Sequence, residues 1–282
     1  NISLNERLDW KVIDGLTLSL IGGYTYTGTE SKNFRSTYTT DVRTSTGNHL
    51  TNQTTKEIYK TFQATIDWNR SFGKHNVGVL AGYSWEQNDY RYLSATRTNL
   101  PSDDYPEIDT GDADSSSNSG GGNAWALQSY FGRAKYNFNE RYLAEFTFRY
   151  DGSSRFPKDN RFAFFPSVAA GWRISEESFI KDNFDWINNL KIKASWGKLG
   201  NQNIGNYPYQ SVYNIGYNYP FGNTLQQGVA ITTAVDETLH WETTTTTDFG
   251  IEGTLWNGLL NFDVTYFYRK TKDILFSPSA SV

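Results

Sequence analysis

The sequence predicts an all-β fold: an antiparallel, up-and-down transmembrane β-barrel, of which these 282 residues supply about ten strands of a larger, plugged barrel. Three observations point there. Apolar and polar residues alternate with period two in segment after segment, as they do along a strand with one apolar and one polar side. Tight and long connections alternate along the chain, as they must when all turns of one kind lie at the same end of a meander. Aromatic residues make up 16% of the chain while mean hydropathy is only -0.62, so rings are plentiful but no aliphatic core of ordinary size is available.

The period-two segments can be taken in order. Residues 2–10 open the pattern. In 16–26, Leu16, Leu18, Leu20, Tyr24 and Tyr26 oppose Thr17, Ser19, Thr25 and Thr27, with Ile21 as the exception. In 61–68, Phe62, Ala64, Ile66 and Trp68 oppose Thr61, Gln63, Thr65 and Asp67. In 77–86, Val77, Val79, Ala81, Tyr83 and Trp85 oppose Gly78, Gly82, Ser84 and Glu86. After 125–138 the signal sharpens. Tyr142, Ala144, Phe146, Phe148 and Tyr150 oppose Arg141, Glu145, Thr147 and Arg149. Phe162, Phe164, Val168, Ala170 and Trp172 oppose Arg161, Ser167, Gly171 and Arg173. Leu190, Ile192, Ala194 and Trp196 oppose Lys191, Lys193 and Ser195. The segments 241–255 and 259–269 complete ten. Thr243–Thr247 reads as strand because Thr is β-branched. Helical periodicity is confined to a short turn in 175–187.

Connections near Lys11–Gly15, Asn69–Lys74, Asn137–Glu140 and Trp256–Gly258 are tight. Those at 29–56, 99–124 and 201–240 are long and polar, 151–160 is shorter and 175–189 is intermediate. Trp and Tyr recur near strand ends on the apolar side (Trp10, Trp68, Tyr136, Tyr142, Tyr150 and Trp172 among them), where two interfacial girdles would place them. The opposite side carries Arg133, Lys135, Arg141, Glu145, Arg149, Arg173, Lys191 and Lys193. So many charges cannot fill a small dry interior. The expectation is a wide, wet lumen, or one lined against a polar plug, and therefore a barrel with more than ten strands.

Several chemistries find no support. Cysteine is absent, which removes disulfides and zinc–thiolate sites. His49, His75 and His240 are too scattered to suggest a metal site. Net charge is -4, against the basic face expected of a nucleic-acid binder. There is no GxSxG elbow and no other catalytic constellation. No cofactor is implied and no enzyme activity is expected. No apolar run approaches the ~18 residues of a membrane-spanning helix. The chain opens inside an alternating segment and contains no Met, so it is read as a piece of a longer polypeptide.

Two loops carry candidate contacts. Asp103, Asp104, Glu107, Asp109, Asp112 and Asp114 form an acidic stretch, read as solvated acidity rather than a calcium site, since no EF-hand pattern accompanies it. Ser115–Asn123 reads as a flexible linker within the same loop. Asp151–Phe156 reads as a tight turn, and Gly200–Gly205 as the exit of a strand. The aromatic residues Tyr207, Tyr209, Tyr213, Tyr217, Tyr219 and Phe221 sit off the strands in 201–240. They either contact a substrate or partner, or pack the loop upon itself.

A set of blocks then carries a resemblance. Ser129-Tyr-Phe-Gly-Arg-Ala-Lys-Tyr136 leads through Asp151-Gly-Ser-Ser-Arg-Phe156, Phe164-Phe-Pro-Ser167 and Gly171-Trp-Arg-Ile174. Leu190-Lys-Ile-Lys-Ala-Ser-Trp-Gly197 and Gly200-Asn-Gln-Asn-Ile-Gly205 follow. Together they resemble the barrel of SusC/RagA-type TonB-linked outer-membrane transporters. The resemblance implies active import of oligosaccharides or oligopeptides across the outer membrane. It implies a SusD-like surface lipoprotein over the extracellular mouth and TonB acting through a plug. On this reading residues 1–282 are barrel wall, and the plug domain, TonB box and terminal strands lie outside them. A passive porin or structural barrel is the alternative, and an outer-membrane enzyme a lesser one. The first and last strands are expected to pair with strands outside this sequence, not with each other.

Overall fold

The structure is a computed structural model, and it describes residues 1–45, 47–231 and 235–275. Ten long strands form one antiparallel sheet. They are β1 (Ile2–Ile13), β2 (Leu16–Arg35), β3 (His49–Phe72), β4 (His75–Thr98), β5 (Ser117–Phe138), β6 (Tyr142–Ser153), β7 (Phe162–Arg173), β8 (Ile187–Asn201), β9 (Glu242–Leu255) and β10 (Leu260–Lys272). Their order in the sheet is their order in the chain, the plain meander that the alternating connections predict. The order is open: β1 and β10 stand at its two ends, and every residue of β1 is exposed.

The tight connections use left-handed backbone. Gly15 has φ +80° and its carbonyl accepts from the Asn69 amide at 2.8 Å; a Cβ there would collide with the Asn69 backbone. Asn139 and Glu140 both have positive φ, as does the run Trp256, Asn257 and Gly258. Turns with positive φ at their centre follow the right-handed twist of the strands they join. The intermediate connection after β7 is a 3₁₀ turn at Ile174–Glu176 followed by a one-turn helix, α1, at Ser178–Lys181.

The strands run beyond the sequence-predicted ends. β3 and β4 have 24 residues each, which at ~3.4 Å per residue is about 80 Å of strand, far more than the ~25 Å apolar band of a membrane barrel. The loops expected at 29–56 and 99–124 are correspondingly short. The tract Ser115–Asn123, expected to be a flexible linker, is strand from Ser117 onward, with Gly120, Gly121 and Gly122 packed against Tyr90, Arg91, Tyr92 and Leu93 of β4. These extensions are polar on both sides, so hydropathy alternation gives no sign of them. Within 201–240, Tyr213–Ile215 pairs with Val229–Ile231 and Tyr219–Phe221 pairs with Thr224–Gln226. Tyr213, Tyr219 and Phe221 therefore lie on short ribbons rather than off all strands.

The chain divides into two compact units. One comprises Asn1–Glu6, Ile21–Phe62 and Glu86–Trp125. Its buried centre is Leu50 and Leu100, joined through Asn48, whose side-chain amide donates to the Leu100 carbonyl at 2.9 Å and to Asp103 at 2.8 Å. The acidic loop is held in the same manner: Asp103 accepts from Thr37, Glu107 pairs with Lys32, and Asp109 lies 3.5 Å from Arg97.

The other unit contains Arg7–Leu20, Gln63–Trp85 and the described residues from Ala126 onward. Here register fixes the faces. Lys135 pairs with Glu145, Glu145 with Ala169, Ala169 with Ser195 and Ser195 with Asp248. Directly opposed residues share a face, so this row is polar on four of its five strands, with only the small Ala169 between. The neighbouring row, Ala134, Phe146, Val168, Trp196 and Thr247, lies on the other face. Tyr130, Phe146, Phe164, Val168, Ile192, Phe249, Ile251, Val264 and Tyr266 share that second face and are exposed. Continuous exposed apolar surface of that extent requires a non-aqueous neighbour. On it Phe148 lies over Gly132, which has no side chain to obstruct the ring, and stands 5.9 Å from Phe164.

The main buried cluster of this unit ties the long connection down. Phe156, Phe165 and Trp241 are buried together, with Leu127, Ala163, Ile204 and Leu239 against them. The Trp241 indole donates to the Arg161 carbonyl at 3.0 Å. Asp151–Phe156 is thus more than a turn: it ends in a ring with no exposure at all. Phe156→Ala should cost roughly 3–5 kcal/mol, the usual range for emptying a buried aromatic site. Urea unfolding of the full-length protein in detergent measures it, and limited proteolysis should show faster cleavage within 202–240.

Candidate functional site

Seven of the eight charged residues singled out from the sequence share one face; the eighth, Arg141, bonds Glu177 at the tight-turn end. Arg133 opposes Thr147, Lys135 opposes Glu145, Arg149 opposes Phe165, and Arg173 opposes Lys191, with Lys193 two residues on. Strand alternation then places Arg133, Lys135, Glu145, Arg149, Arg173, Lys191 and Lys193 on the same side. They do not form one cluster. Lys191 and Lys193 converge on Glu252 at 2.8 and 3.1 Å, and Lys193 also reaches Asp263 at 2.6 Å. Lys135 stands 3.9 Å from Glu145. Arg149 bonds Asp151 and Ser129 and lies over the Phe131 ring. Arg173 reaches Glu140 and Glu176 near the tight-turn end. Arg133 has no carboxylate within 4 Å among the described residues.

Sequence reading missed the partners. Glu252 and Asp263 complete the ladder across β8, β9 and β10, and Asp248 accepts from Ser195 at 2.9 Å. The alternation of 259–269 already sets Asp263 opposite Val264 on the polar side, but not as a partner of Lys193, and the alternation of Glu252 with Ile251 was a usable signal of the same kind. A cavity of about 1140 Å³ opens on this face, lined by Lys135, Glu145, Lys191, Lys193, Ser195 and Asp248 together with Asp14, Arg70 and small residues such as Gly78, Ala169 and Gly171. Positive and negative groups are interleaved throughout it. Such a surface is suited to water, ions or a polar polypeptide. Ser195 and Asp248 meet without an imidazole: among the described residues His75 bonds Tyr136 and His240 lies near Asp273.

The loop aromatics separate into two groups. Tyr207 and Tyr209 are half-buried and meet edge to face, 6.2 Å apart. Tyr213, Tyr217, Tyr219 and Phe221 are on the ribbon segment and exposed, Phe221 by 73%. The structure does not gather the six into one site.

The tight-turn end carries a separate, well-satisfied knot. The Glu177 carboxylate accepts from the Tyr142 hydroxyl at 2.6 Å, the Trp172 indole at 3.0 Å and Arg141 at 2.9 Å. These bonds, Tyr142 first, hold its pKa below the ordinary value of 4.5. Glu176 is lowered likewise, chiefly by Lys181.

A two-faced meander, a charge-paired face and tight turns at one end meet their match in known proteins. The family model for the TonB dependent receptor-like β-barrel matches residues 1–282. The chain belongs to that family. TonB-dependent receptor P3 of Formosa agariphila is 32% identical over 273 residues, covering 95% of this chain and 26% of that protein. TonB-dependent receptor SusC of Bacteroides thetaiotaomicron is 44% identical over 153 residues, covering 53% of this chain and 15% of that one. A structure of the RagAB peptide transporter superposes with TM-score 0.89 at 27% identity, covering 99% of this chain and 31% of that one. The chain spans about a quarter of the length of the receptor P3 and less of SusC.

The receptor's Glu177 knot makes a pH prediction. A carboxylate whose folded pKa is depressed stabilises the fold above its unfolded value, and the contribution is lost as pH falls through the folded value. Urea midpoints of the full-length receptor should therefore fall as pH drops from 5 through 3. In Glu177→Gln the fall should be shallower, measured by the same titration.

Proposed function

We propose that this chain is a stretch of wall in an energy-coupled outer-membrane importer of oligosaccharides or oligopeptides, working with a SusD-like lipoprotein and driven by TonB through a plug. One observation carries the reading: a single sheet with a charge-paired polar face and an exposed apolar face. On this reading the polar face, with Arg133, Lys135, Glu145, Arg149, Arg173, Lys191 and Lys193, lines the lumen, and the apolar face meets lipid. Pairing matters because an uncompensated row of cations would bind anions too tightly to pass cargo. The relatives support the same reading, since SusC is a TonB-dependent receptor and RagAB a peptide transporter.

The tight turns then face the periplasm and the long connections the outside. The exposed ribbon residues Tyr213, Tyr217, Tyr219 and Phe221, and separately the Tyr207–Tyr209 pair, are offered to the partner or cargo. Their large flat surfaces lose little rotamer entropy on contact.

The test of import is uptake by cells expressing the full-length protein. Uptake should stop when the proton-motive force is collapsed or TonB is deleted. Uptake that continues unchanged would mark a passive pore instead. The lipid assignment has its own test. Phe148→Arg should destabilise the barrel by roughly 2–4 kcal/mol, and Thr147→Arg, on the wet face, by far less. Reversible unfolding of the full-length protein in lipid vesicles measures both, and equal costs would contradict the assignment.

A further inference from the structure

Within the first unit, three neighbouring strands present a face unlike the charge ladder. On β3 the residues sharing it are Thr51, Gln53, Thr55, Glu57, Tyr59 and Thr61. On β4 they are Glu86, Asn88, Tyr90, Tyr92, Ser94 and Thr96, and on β5 Ser117, Ser119, Gly121, Asn123 and Trp125. Contacts fix this grouping at several levels. Thr51 and Thr96 hydroxyls meet at 2.9 Å, the Tyr59 hydroxyl donates to Glu86 at 2.8 Å, and Asn88 donates to Glu57 at 3.0 Å. The Trp125 and Tyr59 rings lie 6.2 Å apart, and Tyr90 and Tyr92 lie 6.4 Å apart. A Cβ on Gly121 would come within 3.1 Å of the Tyr92 ring, so the glycine leaves room for that ring.

Not one Lys or Arg stands on this face between residues 51 and 61, 86 and 96 or 117 and 125, although Lys56, Lys60, Arg91 and Arg97 all occupy the opposite one. Four aromatic rings, many hydroxyls and carboxamides, and two carboxylates remain. Among the described residues neither Glu57 nor Glu86 has a cationic partner; each accepts from a neutral group and keeps lone pairs to spare. By the alternation of β4, this is the side the sequence gives to its polar residues.

We propose that Tyr59, Trp125, Tyr90 and Tyr92, flanked by Glu57, Glu86 and Asn88, form a track for a neutral oligosaccharide on its way through the barrel. The apolar C–H faces of pyranose rings stack on aromatic faces, while ring hydroxyls donate to carboxylates and exchange hydrogen bonds with carboxamides. Along these three strand segments a polyanion would meet two carboxylates and no cation; the Arg35 guanidinium lines a cavity with Thr51 at the far end of the face. A peptide would find few partners for its own carboxylates. The inference rests on the import reading and selects between its two substrate classes.

The test uses the full-length protein purified from outer membranes. It is screened against an array of neutral oligosaccharides spanning α- and β-linked glucans, fructans, mannans and xylans, with oligolysine and polyglutamate peptides as the other arms. Binding of at least one neutral oligosaccharide is expected. It should weaken about tenfold or more in Trp125→Ala and Tyr59→Ala, and less in Tyr59→Phe, which keeps the ring. Heat-modifiable migration on gels verifies that each variant is a folded barrel, and Trp125→Phe serves where Trp125→Ala is not. Absence of binding to any neutral oligosaccharide would overturn the proposal, as would binding unchanged in the ring variants or preference for oligolysine. Energy-dependent uptake is measured on the same variants. Uptake that persists with unaltered KM in Trp125→Ala removes the track and leaves import standing. Loss of all energy dependence in the unaltered protein removes import itself.

Discussion

Everything in this molecule follows from where its backbone hydrogen bonds go. In hydrocarbon, an unpaired N–H or C=O costs several kcal/mol, so a membrane-crossing strand must find its partners in neighbouring strands. The meander satisfies this strand by strand, each inner strand bonded to the one before and the one after it. Once the ladder is imposed, side chains have only two directions to point. The sequence then has to sort itself into two faces with period two, which it does in all ten strands outside the polar extensions of β3, β4 and β5. Glycine enters where that sorting needs room, as at Gly132 beneath Phe148.

The two faces solve opposite problems. One leaves Phe146, Val168, Ile192, Ile251 and Val264 exposed, which is costly in water and favourable in lipid. The other brings Lys135, Lys191 and Lys193 together with Glu145, Glu252 and Asp263. Exposed pairs of this kind are each worth little to stability. Their value here is that they hold a dense row of charges near local neutrality. The further face in β3, β4 and β5, with rings and amides in place of cations, shows that the polar side is not uniform along the chain.

Much of this was legible in the residues. All ten strands and their order could be read from alternation and turn spacing. The shared face of the seven charged residues followed from the same parity. What was not legible has physical causes. The ends of β3, β4 and β5 are polar on both sides, so Ser117–Asn123 looks like linker although it is strand. Phe165 stands on the polar face, where alternation expects a hydrophilic residue, because Trp241 arrives from 76 residues away in sequence to bury it with Phe156. The Glu177 knot was hidden for the same reason: Arg141 from a turn, Tyr142 from β6 and Trp172 from β7 meet only across the register. The six loop aromatics looked like one cluster and form two separate groups.

The central claim is that β6 separates a lipid face from a wet one at every residue. The sequence has no cysteine, so single cysteines can be introduced along residues 143–149 without background from this region. In the full-length protein in lipid vesicles, Leu143→Cys, Glu145→Cys, Thr147→Cys and Arg149→Cys should react with a charged, water-soluble thiol reagent. Ala144→Cys, Phe146→Cys and Phe148→Cys should resist it, and spin labels on them should be quenched by oxygen dissolved in the bilayer. A strict two-residue alternation in that order is the predicted result. Uniform reactivity along the strand, or the alternation reversed, would contradict the account.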